Sequence, residues 1–387
     1  MSQKQEVNSA WAQVEEIYRD RLGKAKEYKG KDGKLIGYLC SFTPVEMITA
    51  ADAIPYRITG NMREPITLAD AHLETIACPF TRSCLDMALK GNYDCLDGFV
   101  VPHACDNIVK LYDIWVYNIK HPYAHFVNVP HTLSKPSLDF FAAELATFKK
   151  SLERFTGKEL TVEKLTRAIE WHNEQRALVR ELFQLRKHEP PLISGAEAIK
   201  AIAAVTAMPV YEGNKLIYSL IKESQGRYYS HKRKATRLMI CGTGNEEPVF
   251  VEAVEESGAH VVIDDLCFGT KPYWFEVSVS TDLLGGIARS YLERLNCPRT
   301  YRQSPGSHKA DLESRFGYIY ELARDFRAKA VILYITKYCD THSFDAPDLK
   351  EFLRKKGLPV LEIEGDYPLS ALAGLKTRVQ AFLEMIA

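Results

Sequence analysis

Residues 99–115, FVVPHACDNIVKLYDIW, contain the pattern that decides the fold. A short apolar run, Phe99–Pro102, leads into a loop that carries Cys105, and residues 105–120 then have the apolar spacing of a helix. A further apolar run follows at Ala124–Val129. A strand, a helix and another strand in this order make a βαβ unit, in which the two strands run parallel. The stretch therefore predicts a parallel sheet with crossover helices.

The same alternation occurs on both sides of a long helical region. In the first half, the other predicted elements are a strand at Leu35–Cys40, a short helix at Pro44–Ala51 and a helix over 67–90. In the second half, strands are predicted at Arg237–Cys241, His260–Cys267, Ala330–Thr336 and Val360–Glu364, with helices over 247–257, 309–327, 346–356 and 369–386. We therefore expect an α/β fold made of two doubly wound parallel-sheet domains of the flavodoxin or Rossmann kind.

The chain is long enough for more than one domain. Its 387 residues exceed the usual size of a single hydrophobic core. We predict an N-terminal helical segment over 1–30 and a first α/β domain over 31–134. A helical insert or lid over 135–232 and a second α/β domain over 233–387 complete the predicted division.

Charge and hydropathy exclude several classes of protein. Fifty Lys and Arg residues balance fifty Asp and Glu residues, so bulk charge does not favour binding to nucleic acid. No apolar run approaches the length of a membrane span, and the N-terminal sequence has no apolar signal segment. We therefore expect a cytoplasmic protein without a membrane or nucleic-acid partner.

The nine cysteines are the unusual feature of the composition. Five follow or end a predicted strand, and Cys78 precedes a predicted helix: the five are Cys40, Cys105, Cys241, Cys267 and Cys339. Ligands of open α/β sheets bind at the carboxyl ends of the strands, so these six thiols are predicted to share one edge. The other three, Cys84, Cys95 and Cys297, are interpreted as core or loop residues.

The spacing of the cysteines limits which kinds of metal or redox site they can form. The absence of a C-x-x-C pair removes support for a zinc ribbon or a thioredoxin-like site. Single cysteines at separate loops suit an iron–sulfur cluster held between domains. Burial of the same cysteines as small apolar side chains remains the alternative from spacing alone.

Five segments resemble the 2-hydroxyacyl-CoA dehydratase and benzoyl-CoA reductase superfamily, also known for its D-component. They are YLCSFTPVE from Tyr38, CPFTRSCLD from Cys78, HACD from His103, KYCD from Lys337 and EIEGDY from Glu362. The resemblance covers almost the whole chain. It implies a [4Fe–4S] cluster held by three cysteines, which correspond here to Cys78, Cys105 and Cys339.

All six predicted thiols also resemble the ligand set of a related branch, the double-cubane cluster proteins. There, six cysteines hold an [8Fe–9S] cluster, and the counterparts here are Cys40, Cys78, Cys105, Cys241, Cys267 and Cys339. One cubane per half is the simplest partition, although the single-cubane relatives combine thiols from both halves. The resemblance places the cluster at the domain interface.

Function follows from the same resemblance. It implies an anaerobic, homodimeric oxidoreductase that receives electrons from an ATP-dependent partner reductase with its own [4Fe–4S] cluster and reduces a small molecule at low potential. The chain itself contains no G-x-x-x-x-G-K-[ST] loop for ATP. The alternative is a [4Fe–4S] subunit of a 2-hydroxyacyl-CoA dehydratase or benzoyl-CoA reductase. A non-enzymatic electron relay or metal store is a third hypothesis.

Two histidines beside the thiols are candidates for proton delivery. His103 lies two residues before Cys105, and His342 lies three residues after Cys339. Imidazole is the side chain best suited to proton transfer near neutral pH. A purely structural role for both histidines is an equally good interpretation of the sequence.

Overall fold

Two four-stranded parallel sheets form the framework of the computed structural model, which describes residues 9–227, 235–243, 247–302, 306–366 and 372–386. The first sheet has the order β2-β1-β3-β4, with strands β1 Lys34–Tyr38, β2 Ala53–Arg57, β3 Gly98–Pro102 and β4 Tyr123–Val127. The second has the order β6-β5-β7-β8, with β5 Thr236–Gly242, β6 Ala259–Asp265, β7 Ala330–Thr336 and β8 Val360–Gly365. The predicted α/β fold with two doubly wound domains is confirmed.

Most helices lie in the connections between strands, while two precede β1 and one follows β8. Those of the first half are α1 Ala10–Arg19, α2 Arg21–Lys29, α3 Val45–Ala50, α4 Pro79–Leu89 and α5 Asp106–Asn118. The central region contains α6 Lys135–Thr156, α7 Val162–Gln184, α8 Gly195–Val205 and α9 Val210–Gln225. The second half contains α10 Val249–Glu256, α11 Leu283–Arg294, α12 His308–Asp325, α13 Asp340–Lys355 and α14 Leu372–Ile386.

Three elements differ from the sequence prediction. Strand β2 was not predicted, and it contains Pro55, which is tolerated because β2 lies at the edge of its sheet. Helix α11 was also not predicted, since Gly285 and Gly286 in its first turns lower helix propensity. The helix predicted over 67–90 is α-helical only from Pro79, because Asp86 Oδ1 accepts the backbone N–H groups of residues 67–69 and holds that segment as a loop.

The helices of residues 135–227 complete the cores of both α/β domains. Phe141 and Leu145 of α6 pack in one apolar core with Ile36 and Val100 of the first sheet. Helix α8 is almost entirely buried in the core of the second sheet. The N-terminal helix joins the same region, where Trp11 Nε1 donates to Ser224 Oγ at 2.9 Å. The domain limits remain predictions, and the limit at 232/233 falls outside the described residues.

The strand order positions the site. In each sheet, the second strand lies on one side of the first strand and the later strands lie on the other side. The strand order therefore reverses between β1 and β3 and between β5 and β7. Such switch points leave a crevice at the carboxyl ends of the strands. No helix among the described residues combines the length and apolar character that crossing a membrane requires.

Candidate metal centre

One cavity at the carboxyl ends of both sheets is lined by six cysteines: Cys40, Cys78, Cys105, Cys267, Cys297 and Cys339. The volume open to the centre of a water molecule is ≈ 120 Å³, against roughly 10–15 Å³ needed for one water. In the part of the chain that is described, no three His, Cys, Asp or Glu side chains converge on a point where a single metal ion would sit. The thiols are spread around the wall of the cavity instead.

Three of these thiols occupy equivalent places in the fold. Cys78, Cys105 and Cys339 each cap the N-terminus of a helix, namely α4, α5 and α13. Free N–H groups and the helix dipole at such positions stabilise a thiolate. Backbone N–H groups of the first turn accordingly lower the pKa of each thiol, although burial, the larger effect, keeps all three above their usual value.

Asn107 connects the members of this first triad. Its Oδ1 accepts the backbone N–H of Cys78 at 3.0 Å, and its Nδ2 donates to the carbonyl of Tyr338 at 3.3 Å. The pKa of Cys78 is raised first by burial, then by the charge of Cys339 and more weakly by that of Cys105. One side chain on α5 thus joins loops from both sheets.

The other three thiols of the cavity wall, Cys40, Cys267 and Cys297, influence one another and are called the second triad, although Cys40 also acts on Cys105. Ser41 Oγ donates to the carbonyl of Cys267 at 3.0 Å, which joins the loop after β1 to the loop after β6. The pKa of Cys267 is raised by burial and then by the charges of Cys297 and Cys40. Burial and the charge of Cys40 raise the pKa of Cys297 to about 12.

Two buried arginines border the thiols. Arg299 donates from Nε to the carbonyl of Ala104 at 3.0 Å and from Nη2 to the carbonyl of Val129 at 2.9 Å. Arg57 lines the same cavity at the end of β2. Both cations favour negative charge on a neighbouring thiol, Arg57 on Cys267 and Arg299 on Cys297.

Five of the six cysteines predicted from the sequence meet in this cavity, and Cys241 does not. Cys241 lies within β5, paired with Asp265 of β6 and Leu333 of β7, and its side chain is fully buried in the apolar core. It sits inside the sheet, one residue before the strand ends, so its thiol does not reach the cavity.

Cys297 takes the place that the sequence analysis gave to Cys241. It follows α11, the helix that was not predicted, and precedes a proline. The same Cys-Pro pair occurs at Cys78-Pro79, and this repetition is the signal that sequence analysis missed. No pattern in the sequence marks Arg57 or Arg299.

The two candidate histidines have different positions. His342 lines the cavity and is nearly buried, and burial together with the charge of Lys271 lowers its pKa to about 3. The ring of His103 does not line the cavity: it packs edge-on against His131 with centroids 4.7 Å apart. Proton delivery by either residue remains a prediction, and only His342 has direct access to the cavity.

A family model described as the D-component of 2-hydroxyglutaryl-CoA dehydratase matches residues 40–386. The chain belongs to this family. It is 26% identical to one of the subunits of the benzoyl-CoA reductase of Thauera aromatica, over 91% of this chain and 92% of that protein. It is 24% identical to the (R)-phenyllactyl-CoA dehydratase beta subunit of Clostridium sporogenes, with the same two coverages.

A third relative is the beta subunit of (R)-2-hydroxyglutaryl-CoA dehydratase of Acidaminococcus fermentans, 23% identical over 93% of this chain and 94% of that protein. All three relatives are subunits of multi-component enzymes. The match to D-component proteins confirms the resemblance that the cysteine motifs indicated.

Proposed function

We propose that this protein is an iron–sulfur oxidoreductase whose six cavity thiolates, Cys40, Cys78, Cys105, Cys267, Cys297 and Cys339, hold an [8Fe–9S] double-cubane cluster. The observation that carries the proposal is the position of six thiols around one cavity. Two cubanes contain eight irons, and each iron has one position for an external ligand. A sulfide that bridges the two cubanes fills two of these positions, and six thiolates fill the other six. The bound cluster would supply low-potential electrons for the reduction of a small molecule.

The simplest partition would assign the three thiols of each half of the chain to one cubane. The two triads do not follow this partition. Cys78 and Cys105 come from the first half of the chain and combine with Cys339 of the second half. Cys40 follows β1 in the first half and combines with Cys267 and Cys297 of the second half. Each proposed cubane therefore draws thiols from both halves of the chain.

Electrons for such a cluster require a separate donor. The chain contains no P-loop, so ATP would be hydrolysed by a partner reductase with its own [4Fe–4S] cluster, as the resemblance implies. The multi-component nature of the relatives supports a partner protein. A homodimer is proposed on the resemblance alone.

Iron and sulfide content of anaerobically purified protein tests the cluster. We expect about eight irons per chain, and a content of about four contradicts the double cubane. Cys297→Ser is expected to remove roughly half of the iron, since one triad loses a ligand. Cys241→Ser is the matched variant: it should keep the full iron content, because this thiol lies outside the cavity.

The relatives support a second candidate, a single-cubane subunit acting on an acyl-CoA. All three named relatives act on coenzyme A thioesters according to their names. This candidate predicts about four irons held by Cys78, Cys105 and Cys339 alone. Under it, Cys297→Ser would leave the iron content unchanged, and an acyl-CoA would bind in equilibrium dialysis.

A further inference from the structure

A second cavity lies directly beside the thiol cavity, between the first sheet and the helices α7, α8 and α9. The two cavities share three lining residues, Cys40, Arg57 and Cys267. The volume open to the centre of a water molecule is ≈ 60 Å³, which corresponds to room for a few waters at roughly 10–15 Å³ each. Any occupant would lie next to the second thiol triad.

Arg57 is a buried cation in this cavity, and its side chain has no hydrogen-bond partner within the described ranges. Only 4% of the residue is exposed, and its Nε is buried without an acceptor. Among the described residues, no carboxylate or carbonyl accepts from its guanidinium, which instead lies 5.4 Å from the centroid of the Tyr38 ring. A buried guanidinium is unfavourable unless negative charge and acceptors compensate it.

The neighbouring arginine of the same cavity shows the contrast. Arg176 donates to Glu46 Oε1 at 2.6 Å, to Asn173 Oδ1 at 3.0 Å and to the carbonyl of Pro272 at 3.2 Å. Its charge is therefore neutralised within the protein. Arg57 has the Cys267 thiol as a neighbour, but no acceptor among the described residues receives its Nη donors, whose fork matches a carboxylate.

A second unpartnered donor lines the same cavity. Gln175 of α7 is 7% exposed, and its Nε2 has no hydrogen-bond partner among the described residues. A Cβ atom at Gly213 of α9 would lie only 2.8 Å from that Nε2. Glycine inside a helix is unfavourable, so its presence here preserves the space that the Gln175 amide occupies.

The rest of the wall limits the size of the occupant. Tyr38, Tyr273 and Phe275 supply aromatic faces, and Ile202 and Val205 supply aliphatic ones. The space is too small to enclose a whole coenzyme A thioester. The occupant that fits has few atoms, negative charge and hydrogen-bond acceptors.

We propose that this cavity binds a small monoanion of carboxylate size, held by Arg57 and the amide of Gln175 beside the Cys40 and Cys267 thiols. The inference rests on the proposed function and adds to it the class of substrate. It names a small anion in place of a coenzyme A thioester.

Binding of formate to anaerobically purified, cluster-loaded protein tests the inference. The line width of ¹³C-formate should respond saturably to the protein, whereas formamide, its neutral counterpart of equal size, should not compete. Arg57→Gln should weaken formate binding by about tenfold or more, because a charge-assisted hydrogen bond is lost. Gln175→Leu should also weaken it, and Arg57→Lys should retain part of the affinity.

Arg167→Gln serves as the matched control, since it removes an exposed arginine from the same helix as Gln175 and should leave formate binding unchanged. Circular dichroism checks the folding of each variant, and Gln175→Leu with formamide competition decides the question if Arg57→Gln does not fold. Absence of saturable formate binding, equal binding by a folded Arg57→Gln variant, or equal competition by formamide would overturn the inference.

Iron content of the same samples separates the two proposals. About eight irons without formate binding refutes the anion site and leaves the double cubane standing. About four irons with Arg57-dependent formate binding refutes the double cubane and leaves the anion site standing.

Discussion

The buried ion pair between Glu46 and Arg176 should be a large contributor to stability. Glu46 on α3 is fully buried, and Arg176 on α7 is 5% exposed at a distance of 2.6 Å. Tyr291 on α11 donates its hydroxyl to the other carboxylate oxygen at 2.8 Å. Three helices from separate parts of the chain thus meet at one carboxylate.

Replacement of Arg176 by Met leaves this carboxylate buried with Tyr291 as its remaining side-chain partner. Removal of one member of a buried ion pair costs about 3–5 kcal/mol. For a chain of 387 residues unfolding as one unit, that corresponds to a decrease in Tm of about 4–6 °C. Differential scanning calorimetry at pH 7 measures the decrease.

The pH dependence provides an independent check. Burial alone would raise the pKa of Glu46, but the charges of Arg176 and His172 and the hydrogen bond from Arg176 hold it below its ordinary value. In the wild type, this group therefore stabilises the fold above about pH 4.3, and the contribution is lost as pH falls through the lower folded pKa. Without Arg176, burial is less opposed and the folded pKa rises, so the carboxyl becomes protonated at higher pH.

The deficit of Arg176→Met should consequently shrink between pH 7 and pH 5. The double variant Glu46→Gln with Arg176→Met removes the uncompensated charge and should recover at least part of the lost Tm. A decrease in Tm below about 1 °C, or one that is equal at both pH values and in the double variant, would refute the role assigned to this pair.

Three further substitutions test other parts of the structure. Gly242→Ala should prevent stable folding, as seen by thermal denaturation, because φ is +126° and a Cβ would lie 1.9 Å from the Tyr334 carbonyl oxygen; a wild-type Tm would contradict this. Asp86→Ala should lower the free energy of unfolding in denaturant by about 1–3 kcal/mol, since the carboxylate accepts three backbone N–H groups of the loop before α4. The same variant should show rapid proteolysis of that loop. Lys271→Met should cost about 3–5 kcal/mol because buried Asp265 loses its ion-pair partner, and an unchanged unfolding midpoint would exclude that role.

The strands and most helices were predictable because apolar runs and helical spacing are local properties of the sequence. Strand β2 was missed because Pro55 is unfavourable inside a sheet, and its position at the sheet edge depends on the tertiary arrangement. The loop before α4 was missed for a similar reason. The hydrogen bonds from residues 67–69 to Asp86 depend on the folded position of α4.

The site was predictable to the level of loops but not to the level of every thiol. Placement at strand ends correctly brought four cysteines to one cavity, and placement before a helix brought Cys78. The same reasoning failed to exclude Cys241. A shift of one residue along a strand decides whether a side chain is buried in the sheet or reaches its edge. Cys297 was missed because it follows a helix instead of a strand, and the arginines that surround the thiols were missed because burial of a cation leaves no local pattern.

Cys40 and Tyr338 have φ values of +62° and +60°, in the left-handed region that residues with a side chain adopt at a cost. Each lies in a loop that also presents a cavity thiol, and those two loops come from different sheets and from opposite ends of the chain. A cofactor held by both triads needs loops from both sheets, so neither group of three is complete until the second sheet has been synthesised and folded. Maturation of the protein would have to follow synthesis, and splitting the chain between the two sheets would yield no fragment able to carry even one complete triad.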